Sequence, residues 1–132
     1  MAGVVVLDAG ALIALHDSDD AHHEWAMQMF REIIIFDLAM SVLTYAEALV
    51  HPTRAGKAKR FDANLQGLGV QLQPLETHDG AELAKLRVQT GLKMPDAVVL
   101  QLALKLKASI ATPDKGLAQE ARKLSVGVFQ PS

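Results

Sequence analysis

The run Val4-Val5-Val6-Leu7, closed at once by Asp8, restricts the fold of this chain more than any other segment. A strand with one wet face alternates apolar and polar residues. This run does not alternate, so both of its faces must be covered, as in the interior of a parallel sheet. Parallel strands need crossover connections, and helices normally supply them and lie on the two faces of the sheet. A chain of 132 residues that is 50% hydrophobic is long enough to build such a core.

The rest of the sequence keeps that alternation. Ala11 to Leu15 reads as a short helical turn ended by Asp17-Ser18-Asp19-Asp20, and Asp19 or Asp20 is placed to cap a helix carrying Trp25, Met29 and Ile33 on one face. Ala39 to Leu43 reads as the second strand. Thr44 then precedes a helical stretch with Tyr45, Ala48 and Leu49, interrupted at His51-Pro52. A basic helix over Lys57 to Leu68 turns Phe61, Leu65 and Leu68 inward and stops at Gly69; Val70 to Leu72 is a third strand. Asp79 opens a helix with Leu83 and Leu86 that stops at Gly91. Pro95 suits the first turn of the next helix, which points Val98, Val99, Leu102 and Leu106 inward. Ser109 to Ala111, a helix over Asp114 to Lys123, and a strand over Val126 to Phe129 complete the series. The expected fold is one α/β domain over residues 1–132, a three-layer α/β/α sandwich around a parallel sheet of about five strands.

The chain has no cysteine, which removes disulfide frameworks and thiolate metal sites. Its first residues carry no basic segment followed by a long apolar one, and no apolar stretch is long enough to cross a bilayer. A cytoplasmic protein without a membrane role is expected. The net charge of −2 is not that of a general nucleic-acid binder. The charge is uneven, however: Arg54, Lys57, Lys59 and Arg60 form a local basic cluster.

In an open parallel sheet, ligands gather outside the carboxyl ends of the strands. That rule converts scattered acids into a candidate site. Asp8 ends the first strand, Glu47 lies in the first turns after the second, and Asp114 follows the fourth through Thr112-Pro113. Asp96 stands in the first turn of the helix leading into the fourth strand. Converging carboxylates repel one another and raise their own pKa values, a conflict that a divalent cation removes. Oxygen-only ligands suit Mg²⁺ or Mn²⁺ better than Zn²⁺. Such an ion activates water and polarises phosphoryl oxygens. Taken singly, each acid has a plainer role. Asp96 and Asp114 suit helix capping or the macrodipole, and Glu47 suits a solvated helix face. Asp8 is different, because an Asp finishing an apolar strand needs a cation or donors.

Four segments in order carry a family resemblance: Val6-Leu7-Asp8-Ala9, Ser41-Val42-Leu43-Thr44-Tyr45-Ala46-Glu47, Met94-Pro95-Asp96-Ala97-Val98-Val99-Leu100 and Ala111-Thr112-Pro113-Asp114. Over essentially its whole length the chain resembles PIN-domain ribonucleases, especially the VapC toxins of bacterial toxin–antitoxin operons. The resemblance implies a Mg²⁺- or Mn²⁺-dependent endoribonuclease acting on RNA such as tRNA or rRNA. It further implies a homodimer restrained by a VapB-like antitoxin whose C-terminal segment blocks the cleft. Matched by position, Asp8, Glu47, Asp96 and Asp114 are the catalytic and metal-holding acids, and Thr112 is the hydroxyl residue that supports the last of them. The sequence departs from the pattern at Gly10, where many relatives carry Ser, Thr or Asn, and at Leu117, where an aromatic is frequent.

Gly10 also bears on rival readings. A haloacid-dehalogenase-like phosphatase needs an Asp there, and a dinucleotide-binding turn needs more glycines than this one. The rival that keeps the fold is a PIN-like module, catalytically weak or inactive, that binds RNA or an antitoxin. The Arg54–Arg60 cluster suits a solvated helix face as well as an RNA or antitoxin contact. His22-His23 reads as a solvated helix start, and Trp25, Met27 and Met29 as core or dimer surface. Lys105, Lys107, Arg122 and Lys123 read as solvated helix faces.

Overall fold

The computed structural model describes residues 3–132. Its strands are β1 (Val4–Leu7), β2 (Asp37–Ser41), β3 (Gln71–Gln73), β4 (Ser109–Ala111) and β5 (Val128–Phe129). Seven helices connect and cover them: α1 (Ala9–His16), α2 (His23–Ile33), α3 (Val42–Arg54), α4 (Ala58–Gly67), α5 (Asp79–Thr90), α6 (Met94–Leu106) and α7 (Lys115–Lys123). The strands form one sheet in the order β3-β2-β1-β4-β5, every pairing parallel.

The first strand explains the layering. Val5 and Leu7 point to one face, where α1, α2 and α4 bring Leu12, Met29, Phe30, Ile33, Phe61 and Leu65. Val6 points to the other face, among Val99, Leu100 and Leu102 of α6 and Leu117 of α7. All three β1 side chains are fully buried, each worth about 1.5–3 kcal/mol of apolar burial. Registers Val5↔Leu38 and Val5↔Ser109 set β1 between β2 and β4. The strand order reverses there, so a crevice opens outside the carboxyl ends of these strands.

Several boundaries differ from the sequence reading. The second strand ends at Ser41, not Leu43, because the Ser41 side chain accepts the Leu43 N–H and starts α3 at Val42. Val42 and Leu43 are apolar yet 43% and 46% exposed, so they face outward from a helix. Thr44 therefore lies inside α3. Pro52 does not interrupt that helix; it falls in the last turn, costing the one bond its missing N–H would make, and the helix ends two residues later at Arg54. Asp20 is not the cap of α2: its carboxylate accepts the His22 N–H in a turn ahead of the helix, and His22 holds the N-cap position. Gly91 ends α5 with a φ of 74°, a left-handed conformation that a side chain would strain.

Asp79 forms a structural node. It is 2% exposed, and its carboxylate accepts the Glu76 N–H at 2.7 Å and the Gln101 side-chain amide at 2.8 Å. The Glu76 N–H, more than any other influence, holds its pKa below the usual carboxylate value, and Gln101, Lys105 and His78 act in the same direction. Lys105 is accordingly not a free solvated residue, since its Nζ lies 3.5 Å from Asp79.

Candidate functional site

All four acids are carried to the carboxyl edge of the sheet. Helices that connect parallel strands run back against them, so α1, α3, α6 and α7 present their N-termini at that edge. Asp8 holds the N-cap position of α1, but its side chain does not cap the helix. Its backbone N–H donates to Ala111 O at 3.0 Å, extending the β1–β4 pairing by one residue. The Thr112 hydroxyl, fully buried, donates to Asp8 Oδ2 at 2.6 Å and accepts the Asp114 N–H at 3.0 Å. Thr112 thus ties the first acid to the backbone of the last.

Asp114 is the N-cap of α7, and its Oδ1 accepts the Leu117 N–H at 2.8 Å. The capping reading and the site reading hold together, because the cap uses one carboxylate oxygen. Glu47 lies on the second turn of α3 and is exposed. Asp96 is half-buried in the first turn of α6, after Pro95.

The carboxylates act on one another. Burial pushes the Asp8 carboxyl up; hydrogen bonds from Thr112 and the Ala9 N–H partly oppose this, and the charges of Asp114 and Glu47 add to the rise. Glu47, though exposed, is raised first by partial desolvation of its carboxylate and then by the charge of Asp96. Asp96 is pushed up to about 6, first by burial and then by Asp114 and Asp8, with Lys93 pulling it down. Every acid of the set therefore influences at least one other, across four elements distant in sequence.

This donor set is all oxygen and anionic, the chemistry that suits a hard divalent cation. Among the described residues, no three His, Asp or Glu side chains stand in an arrangement that would hold an ion directly. Mg²⁺ usually keeps several waters and is held by one or two carboxylates, so three side chains converging directly are not required. The residues fit such an ion by chemistry and by the charge crowding it would relieve.

Two further features carry little signal in the sequence. Thr44, 1% exposed and one turn before Glu47, has a buried hydroxyl with no hydrogen-bond partner. An apolar groove of about 390 Å³ runs beside Glu47, lined by Leu43, Ala46, Val50, Met94, Pro95 and Val98. Elsewhere, His23 Nδ1 lies 2.7 Å from Ala14 O, so this ring is bound locally. Arg54, Lys57, Lys59 and Arg60 are exposed at the α3–α4 junction and make no ion pair among the described residues.

The fold is an α/β class built on a five-stranded, all-parallel sheet with helices on both faces. The PIN domain family matches residues 5–123, and the chain belongs to that family. Comparison with curated proteins gives no match. Solved structures do align. A toxin–antitoxin complex from Klebsiella pneumoniae superposes with a TM-score of 0.75 at 20% identity, covering 97% of this chain and 98% of that one. FitAcB from Neisseria gonorrhoeae gives 0.69 at 19% identity, with 95% and 96% covered. The toxin VapC20 of Mycobacterium tuberculosis, described as cleaving the sarcin-ricin loop, gives 0.72 at 14% identity, with 87% and 93% covered. At these identities the likeness establishes the PIN fold. No helix among the described residues is long and apolar enough to cross a membrane.

Proposed function

We propose that this chain is a Mg²⁺- or Mn²⁺-dependent endoribonuclease, the toxin of a VapBC-type pair, working in the cytoplasm as one PIN unit over residues 1–132. The observation that carries the reading is the gathering of Asp8, Glu47, Asp96 and Asp114 at the edge where the strand order reverses, close enough that neighbouring carboxylates help to raise Asp8, Glu47 and Asp96. Asp8, Glu47, Asp96 and Asp114 would hold the ion. When bound, it would supply a water of lowered pKa and charge neutralisation for a phosphodiester. Thr112 keeps Asp8 oriented. The N-termini of α1, α3, α6 and α7 favour an anionic phosphate at the same edge.

The partners proposed are a second copy, an antitoxin and RNA. A second copy packing on the apolar groove between α3 and α6 would remove Leu43, Val50 and Met94 from water beside Glu47. A VapB-like antitoxin would restrain the enzyme by covering the acidic crevice. The exposed Arg54, Lys57, Lys59 and Arg60 are offered as contacts for RNA or antitoxin.

The test is cleavage of RNA by chelator-treated protein, with and without restored Mg²⁺ or Mn²⁺, alongside Asp8→Asn. Cleavage that needs the metal and disappears in the variant is expected. Cleavage indifferent to chelation would overturn the reading. Gly10 supports one other reading, a PIN-like module that binds RNA or antitoxin and cuts weakly or not at all. RNA binding without metal-dependent cleavage would favour it.

A further inference from the structure

Gly10 lies in the first turn of α1, where its backbone is helical and needs no glycine. Glycine is a poor helix former, so something other than conformation must account for it. The neighbourhood provides the reason. A Cβ added at Gly10 would stand 2.9 Å from Pro113 Cγ and 3.2 Å from Pro113 Cδ. The proline ring occupies the space that a side chain at position 10 would take. The same Cβ would lie 3.8 Å from Asp8 Oδ2, so a hydroxyl on it would reach that carboxylate. In this chain the Thr112 hydroxyl serves Asp8 Oδ2.

We propose that Gly10 and Pro113 form one positioning unit, in which the proline ring seated on the bare backbone of Gly10 sets where Asp114 stands relative to Asp8. The unit deepens the metal-dependent nuclease reading and rests on it. Pro113 sits between Thr112, which bonds to Asp8, and Asp114, which caps α7. Its ring fixes its own φ and restricts Thr112 to extended backbone, so the loop between them has little freedom. Contact with α1 on one side and a stiff backbone on the other transmit the position of the first acid to the last. Neither residue touches the reacting atoms; both act through the carboxylates.

The test is a cycle of Gly10→Ser, Pro113→Ala and the double variant. Three quantities are read: melting in metal-free buffer, apparent Mn²⁺ affinity from the metal-induced rise in melting temperature, and kcat and KM for RNA cleavage. Each single variant should weaken Mn²⁺ binding by about tenfold or more, the usual effect of disturbing groups that orient metal ligands. It should lower kcat while leaving KM for RNA near the wild-type value. The double variant should lose no more than Pro113→Ala alone, because with the proline ring gone the new serine side chain has nothing to collide with. Should Gly10→Ser fold poorly, Pro113→Ala against the double variant decides the matter, and a further loss on adding Ser would overturn the proposal. Additive losses, or unchanged Mn²⁺ affinity in an active wild-type background, overturn the positioning unit alone. A wild type that neither binds Mn²⁺ nor cuts RNA overturns the nuclease reading and the unit with it.

Discussion

The Thr112 hydroxyl lies 2.6 Å from Asp8 Oδ2, joining the end of β4 to the end of β1 across 104 residues of sequence. The same oxygen accepts the Asp114 N–H, so one buried group serves both acids. Thr112→Val keeps the shape and removes both bonds. It should destabilise the protein by about 1–3 kcal/mol, the range for orphaned buried polar partners. The Thr112 bond also holds the Asp8 pKa down, so its loss should move the acid limb of cleavage to higher pH. Thr112→Ser should retain much of both properties. Urea denaturation and a pH–rate profile make the check, and a valine variant matching wild type in both would remove Thr112 from the site.

Asp96 gives the site a pH signature. Its folded pKa of about 6 lies above the ordinary aspartate value, so between roughly pH 4 and pH 6 the folded chain binds more protons than the unfolded chain. Metal-free stability from this group should therefore fall as pH rises through that window and level off above it. Asp96→Asn should flatten the fall, melt at or slightly above the wild-type temperature in metal-free buffer near pH 7, and abolish cleavage with Mg²⁺ present. Undiminished cleavage would place Asp96 outside the site.

The layering of the fold was legible because β1 is buried on both faces, and that demand forces an unbroken apolar run into the sequence. The boundary of β2 was not. Val42 and Leu43 extend the apolar stretch although they face outward, and apolar content alone does not separate a strand end from a helix start. The placement of the four acids at one edge was legible, because strand ends and helix starts in a parallel sheet lie together there; whether they share an ion was not. Asp79 was opaque for a different reason. An Asp opening a helix looks the same in sequence whether it is solvated or buried, and its partner Gln101 lies 22 residues away. The fit of Pro113 over Gly10 was equally hidden, because it depends on β4 lying beside β1.

A cation that binds only the native acid set stabilises it by mass action, by about 2.7 kcal/mol at a hundred times its dissociation constant. Mn²⁺ should raise the wild-type melting temperature more than that of Asp8→Asn, which loses one of the four charges. Equal shifts in the two proteins would mean that these acids do not share one ion.

Asp79 predicts acid sensitivity of the opposite sign, and away from the crevice. Its folded pKa is depressed, so its stabilising effect is present above the ordinary aspartate value and is lost as pH falls through the folded one. Asp79→Asn should be less stable than wild type near neutrality, and the gap should narrow as the buffer is acidified below about pH 4. The response to Mn²⁺ should be unchanged. Melting curves of both proteins from neutral to acid pH read this directly, and a gap that widens on acidification would show that the carboxylate bonds of Asp79 do not stabilise the α5–α6 contact.

The basic cluster discriminates among partners. Arg54 ends α3 and Lys57 precedes α4, and both are exposed with Lys59 and Arg60 close in sequence. If Arg54, Lys57 and Arg60 contact phosphate, replacing the three with Gln should weaken RNA binding whatever the sequence. It should also flatten the dependence of log affinity on log salt, by about one unit or less for each lost contact, because fewer counterions are released. If they contact the antitoxin, cleavage should survive while inhibition fails. If they form a solvated face, neither ligand should respond. Salt titrations of RNA and antitoxin binding to the triple variant separate these outcomes, and an unchanged RNA slope would sink the phosphate contact.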